Sequence, residues 1–174
     1  DFHTRLYHDP IYGRGDPETV QRYYETKSAP FPVLDGDLEL IAAETDVLGV
    51  NLYSRNRVIA DPEQGVGYRY APATLPLTDM GYEAAPHALG GFVRFDSKEY
   101  GGPRIYITEN GVCDNTPVVN GVVDDQPRLE LLRGFLTGLA EAIGDGADVG
   151  GYYVWSLLDN FEWALGYSCR FGVV

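Results

Sequence analysis

The chain has 174 residues, of which 44% are hydrophobic and 13% aromatic, so it carries enough apolar side chains for one core of ordinary domain size. Its net charge of -13 at pH 7 would repel phosphate backbones, and we therefore expect no nucleic-acid partner. No apolar run approaches the roughly 20 residues that a transmembrane helix needs, so we expect no membrane partner either.

The first predicted elements are two helices and a strand. The stretch "GDPETVQRYYETK" predicts a helix with Asp16 as its N-cap and Pro17 at its first position. The stretch "GDLELIAAET" predicts a short helix that Asp37 caps. The stretch "DVLGVNLYS", residues 46–54, mixes β-branched and aromatic residues with little charge, which is typical of a buried strand.

The later elements repeat this order of helix and strand. Residues 59–76 are rich in glycine and proline and too long for a tight connection, and we expect them to shape a binding site. The stretches "RIYITE" at 104–109 and "VGGYYVWSLL" at 149–158 predict two more buried strands. Between them, residues 124–146 predict a long helix from apolar residues at helical spacing, namely Leu129, Leu132, Leu136, Leu139, Ala140 and Ile143.

The two cysteines, Cys113 and Cys169, are too few for a disulfide framework. We therefore expect both to be free thiols in a cytoplasmic protein, with a bond between them as the alternative. The N-terminal stretch "DFHTRLYHDP" has neither the basic start nor the apolar run of a secretory signal, which agrees with a cytoplasmic location.

Alternation of strands and helices predicts parallel pairing with right-handed crossovers, either in an open doubly wound sheet or in a closed (β/α) barrel. Polar and aromatic side chains lie where the predicted strands end, at Asn51, Tyr53, Glu109 and Trp155. Barrel active sites gather at the carboxyl ends of the strands, so this placement favours the barrel. The absence of a glycine-rich nucleotide-binding motif from the sequence agrees with that interpretation.

Two stretches could carry chemistry. Glu109 ends a buried strand in "RIYITENGV", where a carboxylate needs either a partner or a reaction. The stretch "WSLLDNFEWALGY" brings Trp155, Glu162 and Trp163 within nine positions. Aromatic faces stack on sugar rings and carboxylates accept hydrogen bonds from hydroxyls, so this mixture suits a carbohydrate, although such residues can also belong to a core.

These same stretches resemble a known family. "YITENG", followed some forty residues later by "WSLLDNFEWALGYSCRFG", is similar to the C-terminal half of glycoside hydrolase family 1, the β-glucosidases and their relatives. "DVLGVNLYSR" and the opening "HDPIYGRGDPETV" also match the family, in its order. The resemblance implies an α/β fold, the C-terminal part of a (β/α)8 TIM barrel with about three of its eight strands. Residues 1–174 would then form one partial barrel without a second domain.

The resemblance also implies a role for each matching residue. Glu109 would be the nucleophile of a retaining β-glycosidase that hydrolyses terminal β-linked glucosyl or related residues by double displacement. Tyr53 would donate a hydrogen bond that keeps this carboxylate ionised. The substrate-binding residues would be Asn51, Tyr53, Trp155, Glu162, Trp163 and Phe171. No metal ion or other cofactor is expected, and the three histidines, His3, His8 and His87, are scattered along the sequence.

A retaining glycosidase needs a second carboxylate as its acid/base, which this family carries in an Asn-Glu-Pro motif. The 174 residues contain no Asn-Glu dipeptide. We therefore expect the chain to be a fragment whose partners are a β-glucoside or oligosaccharide substrate and the missing N-terminal half of the barrel. By itself, the fragment is expected to be inactive. The alternatives are a catalytically inactive glycosidase-like carbohydrate-binding protein and a (β/α) hydrolase of other specificity.

Overall fold

The computed structural model describes residues 2–29 and 33–174. They form two compact units, one of Asp1–Asp46 and Ile59–Arg69 and the other of Val47–Val58 and Tyr70–Val174. The expectation that residues 1–174 form one partial domain stays a prediction.

The first unit contains three helices, α1 (Arg5–Ile11), α2 (Glu18–Thr26) and α3 (Asp37–Ile41). Both predicted N-caps are wrong by one residue. The N-cap of α2 is Pro17, while the carbonyl of Asp16 accepts a 2.7 Å hydrogen bond from the side chain of Gln21. The N-cap of α3 is Gly36. Asp37 is the first helical residue, and its carboxylate accepts a hydrogen bond from the backbone N–H of the preceding loop at Leu34 (2.8 Å).

The strands, in chain order, are β1 (Leu48–Asn51), β2 (Val58–Ala60), β3 (Tyr68–Tyr70), β4 (Ile105–Asn110), β5 (Val118–Val119), β6 (Val122–Val123) and β7 (Val149–Val154). In the second unit, β1, β4 and β7 form a parallel sheet with β4 in the middle, which confirms the three predicted strands and their parallel pairing. Two short ribbons pair β2 with β3 and β5 with β6.

Two helices connect the strands of the parallel sheet. Helix α4 (His87–Glu99) precedes β4, and α5 (Gln126–Gly144) lies between β4 and β7, where the long helix is predicted. The two helices approach closely because glycines face the contact. A Cβ at Gly90 would collide with the carbonyl oxygen of Gly138, and one at Gly134 would collide with the ring of Pro86.

The hydrophobic core lies between these helices and the sheet. Its fully buried members include Leu89, Val93, Ile105, Ile107 and Phe135. Burying a side chain of this kind stabilises a fold by about 1.5–3 kcal/mol, so this cluster holds β4 in place. The carboxyl end of β4, where Glu109 lies, is therefore anchored on a rigid base.

The expectation of free cysteines is wrong, because Cys113 and Cys169 form a disulfide bond. Their Cα atoms are 5.7 Å apart, although the residues are 56 positions apart in the sequence. Cys113 follows β4 and Cys169 follows β7, and neighbouring parallel strands bring the loops at their carboxyl ends together. The cysteine argument for a cytoplasmic location therefore no longer holds. Across residues 2–29 and 33–174, no helix combines the length and the apolar character needed to cross a bilayer.

Candidate active site

The carboxyl ends of β1 and β4 bring Tyr53 and Glu109 together. In the sheet register Asn51 of β1 pairs with Glu109 of β4, and Tyr53 follows two residues later. The Tyr53 hydroxyl donates a 2.7 Å hydrogen bond to Oε2 of Glu109. Glu109 is half-buried, so the end of the strand holds a carboxylate with a fixed donor that remains open to the cleft described below.

Tyr53 is suited to remain a donor. Burial raises the pKa of the Tyr53 phenol well above its usual range, and the hydrogen bond to Glu109 and the charges of Glu109 and Glu162 raise it further. The phenol therefore keeps its proton at neutral pH and presents it to the carboxylate.

Asn110, which our sequence analysis did not select, connects the three strands beside Glu109. Its side chain is fully buried, and its Nδ2 donates to the carbonyl of Leu52 (2.7 Å). Its Oδ1 accepts a hydrogen bond from the hydroxyl of Tyr152 on β7 (2.7 Å). Its own carbonyl accepts from the backbone N–H of Trp155 (2.9 Å). The sequence carried no signal for this role, because it does not show that the amide is buried or which groups lie near it.

The loop after β7 supplies the opposite wall. Glu162 accepts a 2.8 Å hydrogen bond from Nδ2 of Asn160, which fixes one of its carboxylate oxygens. The side chain of Trp163 is 84% exposed, and its backbone φ of 45° is in the left-handed region. Together with Glu109, these residues border a cleft of about 270 Å³. Its lining comprises Tyr53, Met80, Tyr82, Glu109, Trp155, Asn160, Phe161, Glu162 and Trp163.

The structure thus brings together five of the seven predicted site residues, Tyr53, Glu109, Trp155, Glu162 and Trp163. The other two lie elsewhere. Asn51 is exposed at the end of β1, where its Oδ1 accepts a 2.7 Å hydrogen bond from Thr108. Phe171, expected to line the pocket, is 2% exposed and packs edge-on behind Tyr53, with 5.8 Å between the ring centroids. Phe171 forms one buried cluster with Cys113 and Cys169, and Tyr53 and Trp155 pack against this cluster. Phe171 therefore supports the wall of the cleft.

A second cavity of about 410 Å³ adjoins the cleft and shares Tyr53 and Tyr82 with it. Tyr70, Ala71 and Ala73, near the end of the segment 59–76, line this cavity, and a binding role for that segment stays a prediction.

One edge of the second cavity is held by Glu83, whose carboxylate accepts hydrogen bonds from Nε of Arg55 (2.9 Å) and from the backbone N–H groups of Thr74 (2.6 Å) and Leu75 (2.9 Å). These donors, Arg55 first, hold the pKa of Glu83 well below its usual range. Among the described residues, no group of three or more His, Cys, Asp or Glu side chains could hold a metal ion.

A comparison with models of protein families gives the family of the chain. The model of the family described as "Glycosyl hydrolase family 1" matches residues 1–174. The chain belongs to glycosyl hydrolase family 1. Similar solved structures of this family are TIM-barrel enzymes, so the predicted fold, part of a (β/α)8 barrel, is confirmed.

Individual family 1 proteins are similar along nearly the whole chain. A β-glucosidase from Agrobacterium sp. is 40% identical, over 99% of this chain and 38% of its own length. β-Glucosidase A from Acetivibrio thermocellus is 37% identical, over 98% of this chain and 39% of its own. The solved family 1 β-glucosidase from Thermotoga maritima superposes with a TM-score of 0.88 at 37% identity, over 98% of this chain and 38% of that structure. The chain thus spans less than two-fifths of the length of these relatives.

Proposed function

We propose that this chain is part of a retaining β-glycosidase that hydrolyses terminal β-linked glucosyl or related residues. The observation that carries the proposal is the 2.7 Å hydrogen bond from Tyr53 to Glu109 at the edge of a cleft that also contains Trp155 and Glu162. The aromatic face and the second carboxylate are suited to bind a sugar. The carboxylate that Tyr53 holds in place is suited to attack it. The β-glucosidase relatives support the choice of substrate class.

In the proposed reaction, an oxygen of Glu109 attacks the anomeric carbon while the bond from that carbon to the glycosidic oxygen breaks. The departing oxygen takes a proton from the acid/base carboxyl group. Water, which gives a proton back to that group, then opens the glycosyl ester and releases the sugar with its original configuration. The hydroxyl of Tyr53 holds Oε2 of Glu109 in position for the attack.

The other side chains of the cleft would bind the sugar. Trp155 would lie against the C–H face of the ring, as indole rings do when they contact apolar surfaces. Glu162, oriented by Asn160, would accept hydrogen bonds from outer hydroxyls, and the exposed Trp163 would cover them. Asn51 would approach the substrate from the end of β1, beside Thr108.

The acid/base carboxyl group would come from the part of the protein that this chain does not contain. A retaining enzyme holds its two carboxyl groups about 5–5.5 Å apart, and the sequence lacks the Asn-Glu that carries the acid/base in this family. Losing general acid catalysis typically costs about 10²- to 10⁴-fold in rate. The 174-residue chain alone is therefore proposed to be inactive and to need the remainder of the barrel as its partner.

Replacing Glu109 by glycine in the complete protein tests the proposed function. The Glu109→Gly variant should lose turnover of an aryl β-glucoside and keep its melting temperature, because a strand-end carboxylate contributes reactivity more than packing. Added azide should enter the space that the side chain leaves and attack the anomeric carbon. Turnover should then return and yield a glycosyl azide of inverted configuration, because one displacement now occurs instead of two.

The matched control is Glu141→Gly on the outer side of α5, where the carboxylate pairs with Arg94 at the surface (3.2 Å). This control should keep its turnover per folded molecule. A Glu109→Gly variant that is less stable but keeps full turnover per folded molecule would remove Glu109 from the reaction.

A further inference from the structure

Arg128, in the first turn of α5, has a side chain that the proposed reaction does not use. The residue is 6% exposed. Asp125 is its partner in an ion pair of 3.1 Å through Nη1, and all three nitrogens of the guanidinium group also donate to other groups. A buried cation needs full hydrogen bonding, so the targets of those donors indicate what Arg128 does.

The guanidinium group binds four backbone carbonyl oxygens in two loops. In the loop after β4, Nε donates to Val112 (3.3 Å) and Nη2 donates to Asp114 (3.0 Å). In the loop after β7, Nη2 donates to Arg170 (3.1 Å) and Nη1 donates to Gly172. The side chain of Arg128 thereby holds the backbone of both loops.

The four carbonyls have a regular arrangement. The first two flank Cys113, and the other two flank Phe171. Arg128 therefore holds the backbone on both sides of Cys113 and of Phe171, which belong to one buried cluster against which Tyr53 and Trp155 pack. Lysine could not replace it, because an ammonium has three donors on a single atom, whereas the guanidinium has five on a planar fork.

Phe171, the residue between the second pair of carbonyls, contacts the reacting group through Tyr53. The ring of Phe171 packs edge-on against Tyr53. The hydroxyl of Tyr53 in turn donates to Glu109. A shift of the loop after β7 would move Phe171 and would leave Tyr53 free to turn away from the carboxylate.

We propose that Arg128 is a positioning residue for the reaction, which holds the loops after β4 and β7 so that Phe171 keeps Tyr53 on Glu109. The inference rests on the proposed function, since it takes Glu109 as the nucleophile. Misplacing a reacting group by about 1 Å can cost about 100-fold in rate, so a residue that touches no substrate can still control turnover.

The test uses Arg128→Lys in the complete protein, because lysine keeps the charge and lowers the risk that the variant fails to fold. Arg94→Lys is the matched control, since Arg94 binds Asp145 (2.6 Å) and Glu141 (3.2 Å) between α4 and α5 and is 37% exposed. The measurements are kcat and KM for an aryl β-glucoside per folded molecule, in each variant and again in a Tyr53→Phe background.

The expected result for Arg128→Lys is a fall in kcat of about 10- to 100-fold with KM changed by less than about threefold, whereas Arg94→Lys stays within about twofold of the parent. The effect on kcat should largely disappear in the Tyr53→Phe background, because it acts through Tyr53. A merely structural role would lower the folded fraction and leave kcat per folded molecule unchanged. That result, or an undiminished effect in the Tyr53→Phe background, would overturn the proposal.

A crystal structure of the Arg128→Lys protein separates this inference from the proposed function. The backbone on either side of Phe171 should shift although the disulfide still joins the two loops, and the oxygen of Tyr53 should lie beyond hydrogen-bond distance of Glu109. An unchanged pair would overturn the positioning role even if the enzyme proved inactive on β-glucosides. If the pair separates but the parent protein hydrolyses no β-glycoside, the positioning role stands and the proposed function fails.

Discussion

Tyr53 and Glu109 form the contact on which the proposed chemistry depends. The tyrosine lies just beyond β1 and the glutamate near the end of β4, and the 2.7 Å hydrogen bond joins residues 56 positions apart. A hydrogen bond to a charged group contributes about 1.5–3 kcal/mol, which is enough to keep the phenol and the carboxylate in one arrangement. The phenol itself keeps its proton, because its pKa is raised well above the usual range.

Tyr53→Phe in the complete protein tests this contact. The substitution keeps the ring against Phe171 and removes only the hydroxyl that binds Oε2 of Glu109. Because misplacing a reacting group by about 1 Å can cost about 100-fold in rate, kcat/KM for an aryl β-glucoside should fall by about 10- to 100-fold while the melting temperature stays close to that of the parent. Steady-state kinetics and thermal unfolding measure the two effects. A kcat/KM equal to that of the parent would show that Tyr53 does not act on the nucleophile.

Five of the seven predicted site residues could be placed from the sequence because they follow strands or lie in one short motif. The other two show where such reasoning ends. The family resemblance implied that Phe171 lines the pocket, but sequence cannot distinguish a side chain that lines a cleft from one that supports it. Asn110 and Arg128 act through backbone carbonyls of distant loops, and the sequence does not show which carbonyls come near them.

At the scale of elements, the loops after β4 and β7 form one connected base under the cleft. The disulfide bond between Cys113 and Cys169 joins them, and the N–H of Asp114 donates to the carbonyl of Arg170 (3.0 Å) beside it. Asn115 adds hydrogen bonds to Ser168 (2.8 Å) and Arg170 (3.0 Å). These contacts keep the loop that follows Glu109 and the loop that carries Glu162 in a fixed relation.

The disulfide should contribute measurably to the stability of the complete protein. Closing a loop of 56 residues lowers the entropy of the unfolded chain and corresponds to about 4 kcal/mol. Equilibrium unfolding in urea with dithiothreitol should therefore shift to lower urea concentration than without it. The Cys113→Ser/Cys169→Ser variant is the control, since its unfolding should not respond to the reductant. Identical unfolding curves for the parent in both conditions would mean that the bond does not contribute.

The β-branched and aromatic composition of three segments was sufficient to predict β1, β4 and β7, and the helical spacing of apolar residues was sufficient to predict α5. The caps of α2 and α3 were misplaced by one residue, since an aspartate near a helix start can bond to the helix or to the preceding loop with similar energy. The disulfide was missed because its two cysteines are brought together by the sheet and not by their spacing in the sequence.

At the scale of the whole molecule, the chain has surfaces that a complete barrel would cover. In the part of the chain that the structure describes, β1 and β7 each pair with a single strand of the parallel sheet, whereas a closed barrel leaves no strand edge free. Helix α5 leaves the apolar side chains of Leu129, Leu136 and Ile143 exposed by 45–48%. Both features agree with a chain that spans about 38% of the length of its β-glucosidase relatives.

Trapping the glycosyl-enzyme intermediate shows directly whether Glu109 is the nucleophile. The complete protein is incubated with 2,4-dinitrophenyl 2-deoxy-2-fluoro-β-glucoside, digested with a protease and sequenced by mass spectrometry. Fluorine at C2 slows both displacements by destabilising their positively charged transition states, while the good leaving group keeps the first step accessible, so the ester accumulates. We expect the enzyme to be inactivated and to carry one fluoroglucosyl group on Glu109. Inactivation with the label on another carboxylate and Glu109 unmodified would contradict this expectation.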